Sequence, residues 1–303
     1  MALLNTKLLS QTAIRIQCDQ FYQHTHGLNM HYIDQGQGDP VVMVHGNPSW
    51  SIYYRNLVDA LKHQYRCIVP DHIGCGFSDK PTDAEYTYTL KQRVDDLEAL
   101  LEHLGLKENI TLVVHDWGGV IGMGYATRHP EKIKQLVILN TAAFHLPPGK
   151  QDIPKLLRFC RDSKLGAYLV ENWNAFSVGA SWIGCTWHPM NSSLRQAYQL
   201  PYHAKGRRLA TLRFIQDIPL DKKDPAWEEL ERIQQGVHLF EQTPTLICWG
   251  MKDFVFDRYF LAEWERRLPQ AEVHRFEQAG HYILEDAADQ VISLIQGFMH
   301  AKH

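Results

Sequence analysis

A mostly parallel α/β sheet, flanked by helices on both faces and interrupted by a helical insertion, is the fold class this sequence predicts. Three observations predict it: short β-branched apolar runs recur between segments of helical period, that order breaks between about Phe144 and Leu239, and a strand pattern resumes at Thr245. With 303 residues and 45% hydrophobic composition, the chain can bury one large core. The expected division is residues 1–144 as the first part of that core, 145–239 as a helical cap, and 240–303 as its second part.

The elements follow in order. A strand from Leu28 to Asp34 ends at the turn Gln35-Gly36-Gln37-Gly38-Asp39-Pro40, and the buried strand Val41 to Val44 leads into His45-Gly46. Ile52, Tyr53, Leu57, Val58 and Leu61 share one helical face, and Cys67-Ile68-Val69 is the next strand. Leu90, Val94, Leu97, Leu101 and Leu104 recur at helical spacing behind the possible caps Thr87 and Thr89. Further strands run through Ile110 to Val114, Leu136 to Leu139, Thr245 to Trp249, and Val273 to Phe276. The stretch between the second and third of these groups is helical and loop-rich, carries Trp173, Trp182 and Trp187, and would roof the active site.

Composition narrows the function. A net charge of −3 provides no basic field for nucleic acid or an anionic membrane, so a small molecule is the expected partner. Cys18, Cys67, Cys75, Cys160, Cys185 and Cys248 form no C-x-x-C pair and read as reduced core thiols of a cytoplasmic protein. The N-terminus is a poor signal peptide, and no stretch has the length of a transmembrane segment. His24, His26 and His31 lie in a turn leading into a strand without zinc-type spacing, so no metal and no cofactor is expected.

Val113-Val114-His115-Asp116-Trp117-Gly118-Gly119 is the most informative segment: a buried strand running into a Gly pair and then a helix, the layout of a nucleophile elbow with Asp116 where Ser is usual. Val114 stands where the Ser version has Gly, which weakens a Ser-hydrolase match. An acid at a helix start meets the dipole's positive end, which should hold it ionised. Taken alone, Asp116 reads equally well as a helix cap. Two further sites decide against that: Asp253 follows the strand through Trp249, and His281 follows the last strand. Nucleophile, acid and histidine in that chain order form the triad of the α/β-hydrolase fold. After the strand ending at Val44, His45-Gly46-Asn47-Pro48-Ser49-Trp50 is placed to supply an oxyanion-hole N–H from Asn47, with a second from Trp117. The Asn47 amide and Trp117 indole also donate without charge, as a departing anion requires. His45 reads as packing beneath the loop.

These motifs resemble the haloalkane dehalogenase branch of the α/β-hydrolases over nearly the whole chain. The resemblance implies Asp116 as nucleophile, His281 as base, Asp253 as its acid partner, and Asn47 and Trp117 as the clamp for the departing anion. The segments Leu139 to Phe144, Asn174 to Ala180, Phe214 to Leu220 and Asp253 to Asp257 are similar to those of a related group, the β-lactone decarboxylases of bacterial long-chain olefin synthesis. That likeness implies a hydrophobic substrate, decarboxylation of cis-β-lactones to cis-olefins, and the lactone-forming and reductase enzymes of the same route as partners. Haloalkane hydrolysis is the alternative. Epoxide hydrolases resemble the chain less, since they usually carry an aromatic residue at the Asn47 position and need two cap tyrosines, for which Tyr168, Tyr198 and Tyr202 are available. Fluoroacetate dehalogenases carry arginine where this chain has Trp117. A non-catalytic binding module would not need nucleophile, acid and base together.

Overall fold

The computed structural model describes residues 20–23 and 27–301. Its strands are β1 (Phe21–Gln23), β2 (Asn29–Gln35), β3 (Pro40–Val44), β4 (Arg66–Pro70), β5 (Ile110–Asp116), β6 (Ile133–Thr141), β7 (Thr245–Gly250) and β8 (Glu272–Phe276). They form one sheet in the order β1-β2-β4-β3-β5-β6-β7-β8, with β2 antiparallel to β1 and β4 and the remaining pairs parallel. The register between β3 and β5 sets Val44 beside Val114, and β6 brings Thr141 beside Asp116.

Alternation along the central strands explains why their sequences are continuously apolar. Val42, Val44, Leu112, Val114, Leu136 and Ile138 pack into one core, and Val41, Met43, Val113, Val137, Leu139 and Cys248 into another on the opposite face. Each such side chain contributes roughly 1.5–3 kcal/mol by leaving water, and helices cover both faces. The flanking helices are α1 (Arg55–Leu61), α2 (Leu90–His103) and α3 (Trp117–Arg128). Thr89 caps α2 by accepting from the Gln92 N–H at 3.4 Å.

Between β6 and β7 come α4 (Lys155–Asp162), α5 (Lys164–Trp173), α6 (Ala175–Ile183), α7 (Ser192–Gln199), α8 (Leu209–Gln216) and α9 (Trp227–Gly236). A small core of Cys160, Val170, Leu212 and Ile215 ties α4, α5 and α8 together. The chain closes with α10 (Arg258–Arg267), α11 (Ile283–Asp286) and α12 (Ala288–His300). Among the described residues, no helix is long and apolar enough to cross a membrane. Of the histidines near the N-terminus, His24 and His26 lie outside the described residues, as does Cys18, while His31 is buried and bonded through Nδ1 to Asp71 at 2.7 Å. No group of three or more metal-ligating side chains occurs among the described residues.

Candidate active site

The C-terminal ends of β3, β5, β6 and β7 converge on one spot, where α/β sheets bind ligands. At β5 the backbone reverses sharply: Asp116 adopts φ 51° and ψ −127° before α3 begins. A non-glycine residue at positive φ costs on the order of 1–3 kcal/mol and persists where its surroundings hold it. Two glycines make room. A Cβ on Gly46 would lie 2.0 Å from Asp116 Oδ1, and one on Gly118 would lie 1.9 Å from the Val44 carbonyl oxygen. The Thr141 hydroxyl, at the end of β6, donates to the Asp116 carbonyl.

The three predicted site residues come together. His281 Nδ1 bonds Asp253 Oδ2 at 2.8 Å, and its Nε2 stands 3.7 Å from Asp116 Oδ2. All three are buried. Asp253 follows β7, accepts the Val255 N–H through Oδ1 at 2.7 Å, and receives Asn140 Nδ2 at 3.1 Å. Burial pushes the Asp116 carboxyl above its ordinary value, and the His281 charge and the Trp117 and Asn47 N–H groups offset only part of that. The N–H donors at the helix start favour the ionised form, while loss of water, the larger effect, sets the direction of the shift. Burial alone would lower His281, but the charge and hydrogen bond of Asp253, joined by Asp116, carry it above its ordinary value.

The predicted backbone donors both reach the carboxylate. The Asn47 N–H bonds Asp116 Oδ1 at 2.6 Å, and the Trp117 N–H bonds the same side chain. Asp116 Oδ1 thus occupies the position an oxyanion would take, leaving Oδ2 facing His281. One amide hydrogen of Asn47 Nδ2 goes to the Thr211 carbonyl at 3.1 Å in α8; the amide carries a second donor. Asn47, Trp117, Asp116 and His281 form the polar floor of a cavity of about 250 Å³. Its walls are apolar, among them Leu146, Ile153, Leu157, Phe176, Ile215 and Phe256. Leu156, Phe159, Ile183 and Phe254 line it and are also exposed, so they form its mouth.

Of these mouth residues Ile183 alone belongs to the region of Trp173 to Trp187; Leu156 and Phe159 lie on α4 and Phe254 follows β7. Trp173 and Trp182 are exposed outside the cavity lining, and Trp187 does not line it. Tyr168, Tyr198 and Tyr202 do not line it either: Tyr168 is exposed, Tyr198 bonds Glu285 at 2.6 Å and Tyr202 bonds the Ser49 carbonyl at 3.3 Å. The acid pair an epoxide hydrolase would need from them is missing from the cavity. His45 is buried beneath the loop as expected, bonding the Gly46 carbonyl through Nδ1 at 2.7 Å.

Sequence reasoning missed two supports. Asn140, at a positive φ of 29°, bonds Asp253 and both backbone polar groups of Gly250, donating at 3.0 Å and accepting at 2.8 Å. A polar residue closing the apolar run of β6 is the signal that could have found it. His115 Nε2 bonds the His281 carbonyl at 2.8 Å, and the two rings lie 4.7 Å apart.

The alpha/beta hydrolase fold family matches residues 39–168 and 170–288. The chain is 59% identical over 273 residues to the cis-3-alkyl-4-alkyloxetan-2-one decarboxylase of Shewanella oneidensis, covering 90% of this chain and 86% of that protein. It is 50% identical over 280 residues to the protein of the same description from Xanthomonas campestris, covering 90% and 93%. A haloalkane dehalogenase of Sphingobium indicum is 36% identical over 284 residues, covering 90% and 92%. The solved structure of the haloalkane dehalogenase DatA from Agrobacterium tumefaciens superposes with a TM-score of 0.81 over 92% of this chain and 96% of that one, at 23% identity, and so shares the fold.

Proposed function

Because this chain belongs to the alpha/beta hydrolase fold family and is 59% identical to a cis-3-alkyl-4-alkyloxetan-2-one decarboxylase, we propose that it is a lyase that converts long-chain cis-β-lactones to cis-olefins and CO₂. The observation that carries the chemistry is the position of Asp116 at the floor of an apolar cavity, with Oδ1 held by the Asn47 N–H and Oδ2 turned toward His281. A carboxylate needs no base to become a nucleophile.

Asp116 Oδ2 attacks the ring carbon that bears oxygen; the C–O bond breaks, and the ring carboxylate departs toward Asn47 and Trp117. The resulting alkyl ester has its new C–O bond anti to the bond holding the carboxylate. Loss of CO₂ places those electrons in the C=C bond and returns Asp116 as a carboxylate. Inversion followed by anti elimination keeps cis geometry, and no water is consumed. Attack at the lactone carbonyl to give an anhydride is the competing route. Occupation of the oxyanion position by Oδ1 favours the alkyl ester, since a carbonyl oxyanion would have to displace it. His281, raised by the carboxylates around it, serves as a cation near the departing carboxylate, with Asp253 fixing its ring.

Residues 145–239 act as the cap whose walls hold the alkyl chains. The five described cysteines are free and buried, which suits a reducing cytoplasm. The lactone-forming and reductase enzymes of an olefin route are the candidate partners, because a water-insoluble lactone gains from direct transfer. The test supplies cis-disubstituted β-lactones and bromoalkanes separately: alkene and CO₂ from the lactone support the reading. Vigorous bromoalkane hydrolysis with no alkene from lactone sinks it in favour of a haloalkane dehalogenase.

A further inference from the structure

Behind the clamp, one buried ion pair joins the sheet's helices to the insertion. Arg93 on α2 is 1% exposed, and its Nη1 donates to Asp217 Oδ2 at 2.9 Å, where Asp217 ends α8 and is itself buried. The Leu90 N–H also bonds that carboxylate. The guanidinium lies 3.8 Å from the centre of the Phe214 ring and 5.7 Å from that of Trp117. The two rings meet edge to face at 5.2 Å. Arg93 Nε and Nη2 are buried with no hydrogen-bond partner.

Such an arrangement is costly. A buried guanidinium with unmet donors pays a desolvation penalty, and a buried ion pair is often replaceable by apolar residues of similar volume without loss of stability. Fold stability alone therefore gives little reason for it. What the geometry retains is a positive charge against two rings, one of which carries the indole N–H of the cavity floor. A cation near an indole draws π-electron density toward itself and leaves the N–H more positive.

Resting on the reading that Trp117 holds a departing carboxylate, we propose that Arg93 is a positioning residue for this clamp. Anchored by Asp217, its guanidinium fixes the edge-to-face pair of Phe214 and Trp117 and strengthens the Trp117 N–H as a donor to the anion. Asp217 belongs to the segment Phe214 to Leu220 that the sequence marks as particular, and its role here is to hold the guanidinium in place across the boundary between α2 and the insertion.

Hexanoate, a carboxylate with an alkyl tail, probes the clamp without chemistry. Its binding is read from the indole N–H resonance of Trp117, identified by its disappearance in Trp117→Phe. Arg93→Met should weaken hexanoate binding about tenfold and lower kcat for lactone by a similar factor with KM little changed. The double variant Arg93→Met/Asp217→Leu removes the unpaired acid and secures folding, and it should remain as defective in both readouts. If the double variant binds hexanoate and turns over lactone like the natural chain, the pair is only structural and the proposal fails. It also fails if hexanoate leaves the Trp117 resonance of the natural chain unmoved. Since the hexanoate titration is independent of what the enzyme releases, failure of the decarboxylase reading would show separately, as absence of alkene.

Discussion

Replacing Gly46 by Ala tests the placement of the nucleophile with a single methyl group. Gly46 does not have a positive φ, so the backbone admits alanine and the effect is steric. The new Cβ would stand 2.0 Å from Asp116 Oδ1, whereas ordinary contact begins at 3.4 Å; 3.4 Å less 2.0 Å leaves about 1.4 Å that the carboxylate must give up. The displacement would also break the Asn47 N–H bond to Oδ1, now 2.6 Å. A misplacement of about 1 Å can cost about 10²-fold in rate. Gly46→Ala should therefore lower kcat at least about a hundredfold, equivalent to ~2.7 kcal/mol, while overpacking lowers stability by roughly 1–3 kcal/mol. Gas-chromatographic measurement of alkene under saturating lactone, beside a thermal melt, separates the two effects. A folded Gly46→Ala enzyme with kcat within about fivefold of the natural chain would refute the placement of Asp116 as the working nucleophile.

Asp253→Asn keeps the volume but removes the charge that raises His281; with an imidazolium left without its buried partner, kcat should fall by about 10²–10⁴, following the roughly 3–5 kcal/mol cost of breaking a buried pair, and a loss under threefold would contradict the role given to Asp253. The pH profile of kcat/KM should show two limbs whose signs follow from the two raised groups. Activity falls as pH drops through a value above the ordinary aspartate pKa of about 3.9, because Asp116 must be ionised, and falls again as pH rises through a value above the ordinary histidine pKa of about 6.5, because the imidazolium is lost; activity that instead rises through the histidine limb would mark His281 as a base. Gly179 lines the cavity and a Cβ there meets nothing within 4 Å, so Gly179→Leu should leave the melting temperature nearly unchanged while shifting preference to shorter-chain lactones. Unaltered chain-length preference in a lactone mixture would show that α6 does not face the alkyl chains.

The parts of the fold that were legible are those where chemistry leaves a local mark. The runs at Val41 to Val44 and Ile110 to Val114 announce strands because both sheet faces are covered and every side chain but Thr111 is apolar. The elbow shows because only glycines at 46 and 118 tolerate the backbone and carboxylate that approach them. Asp253 and His281 were found by chain order, which the fold imposes. β1 escaped because three residues at a sheet edge, exposed at both ends, carry no periodicity. Asn140 and the pair of Arg93 with Asp217 escaped because their partners lie about a hundred residues away, at separations of 113 and 124, and a single polar residue in an apolar segment does not reveal whom it meets. The tryptophans of the insertion misled for a related reason: Trp173 and Trp182 are large and apolar, yet they point away from the cavity that Leu169 and Ile183, beside them on the same helices, help to line.

The central claim is that Asp116 opens the lactone and is released by loss of CO₂ without water. Repeated turnovers of cis-β-lactone in heavy-oxygen water, followed by mass spectrometry of the peptide containing Asp116, test it directly, since hydrolysis of an ester at the Asp116 carbonyl would leave one solvent oxygen in that carboxylate. The account predicts alkene accumulating over many turnovers with no label in Asp116. Label entering Asp116 at the pace of alkene formation would contradict it and require a hydrolytic intermediate.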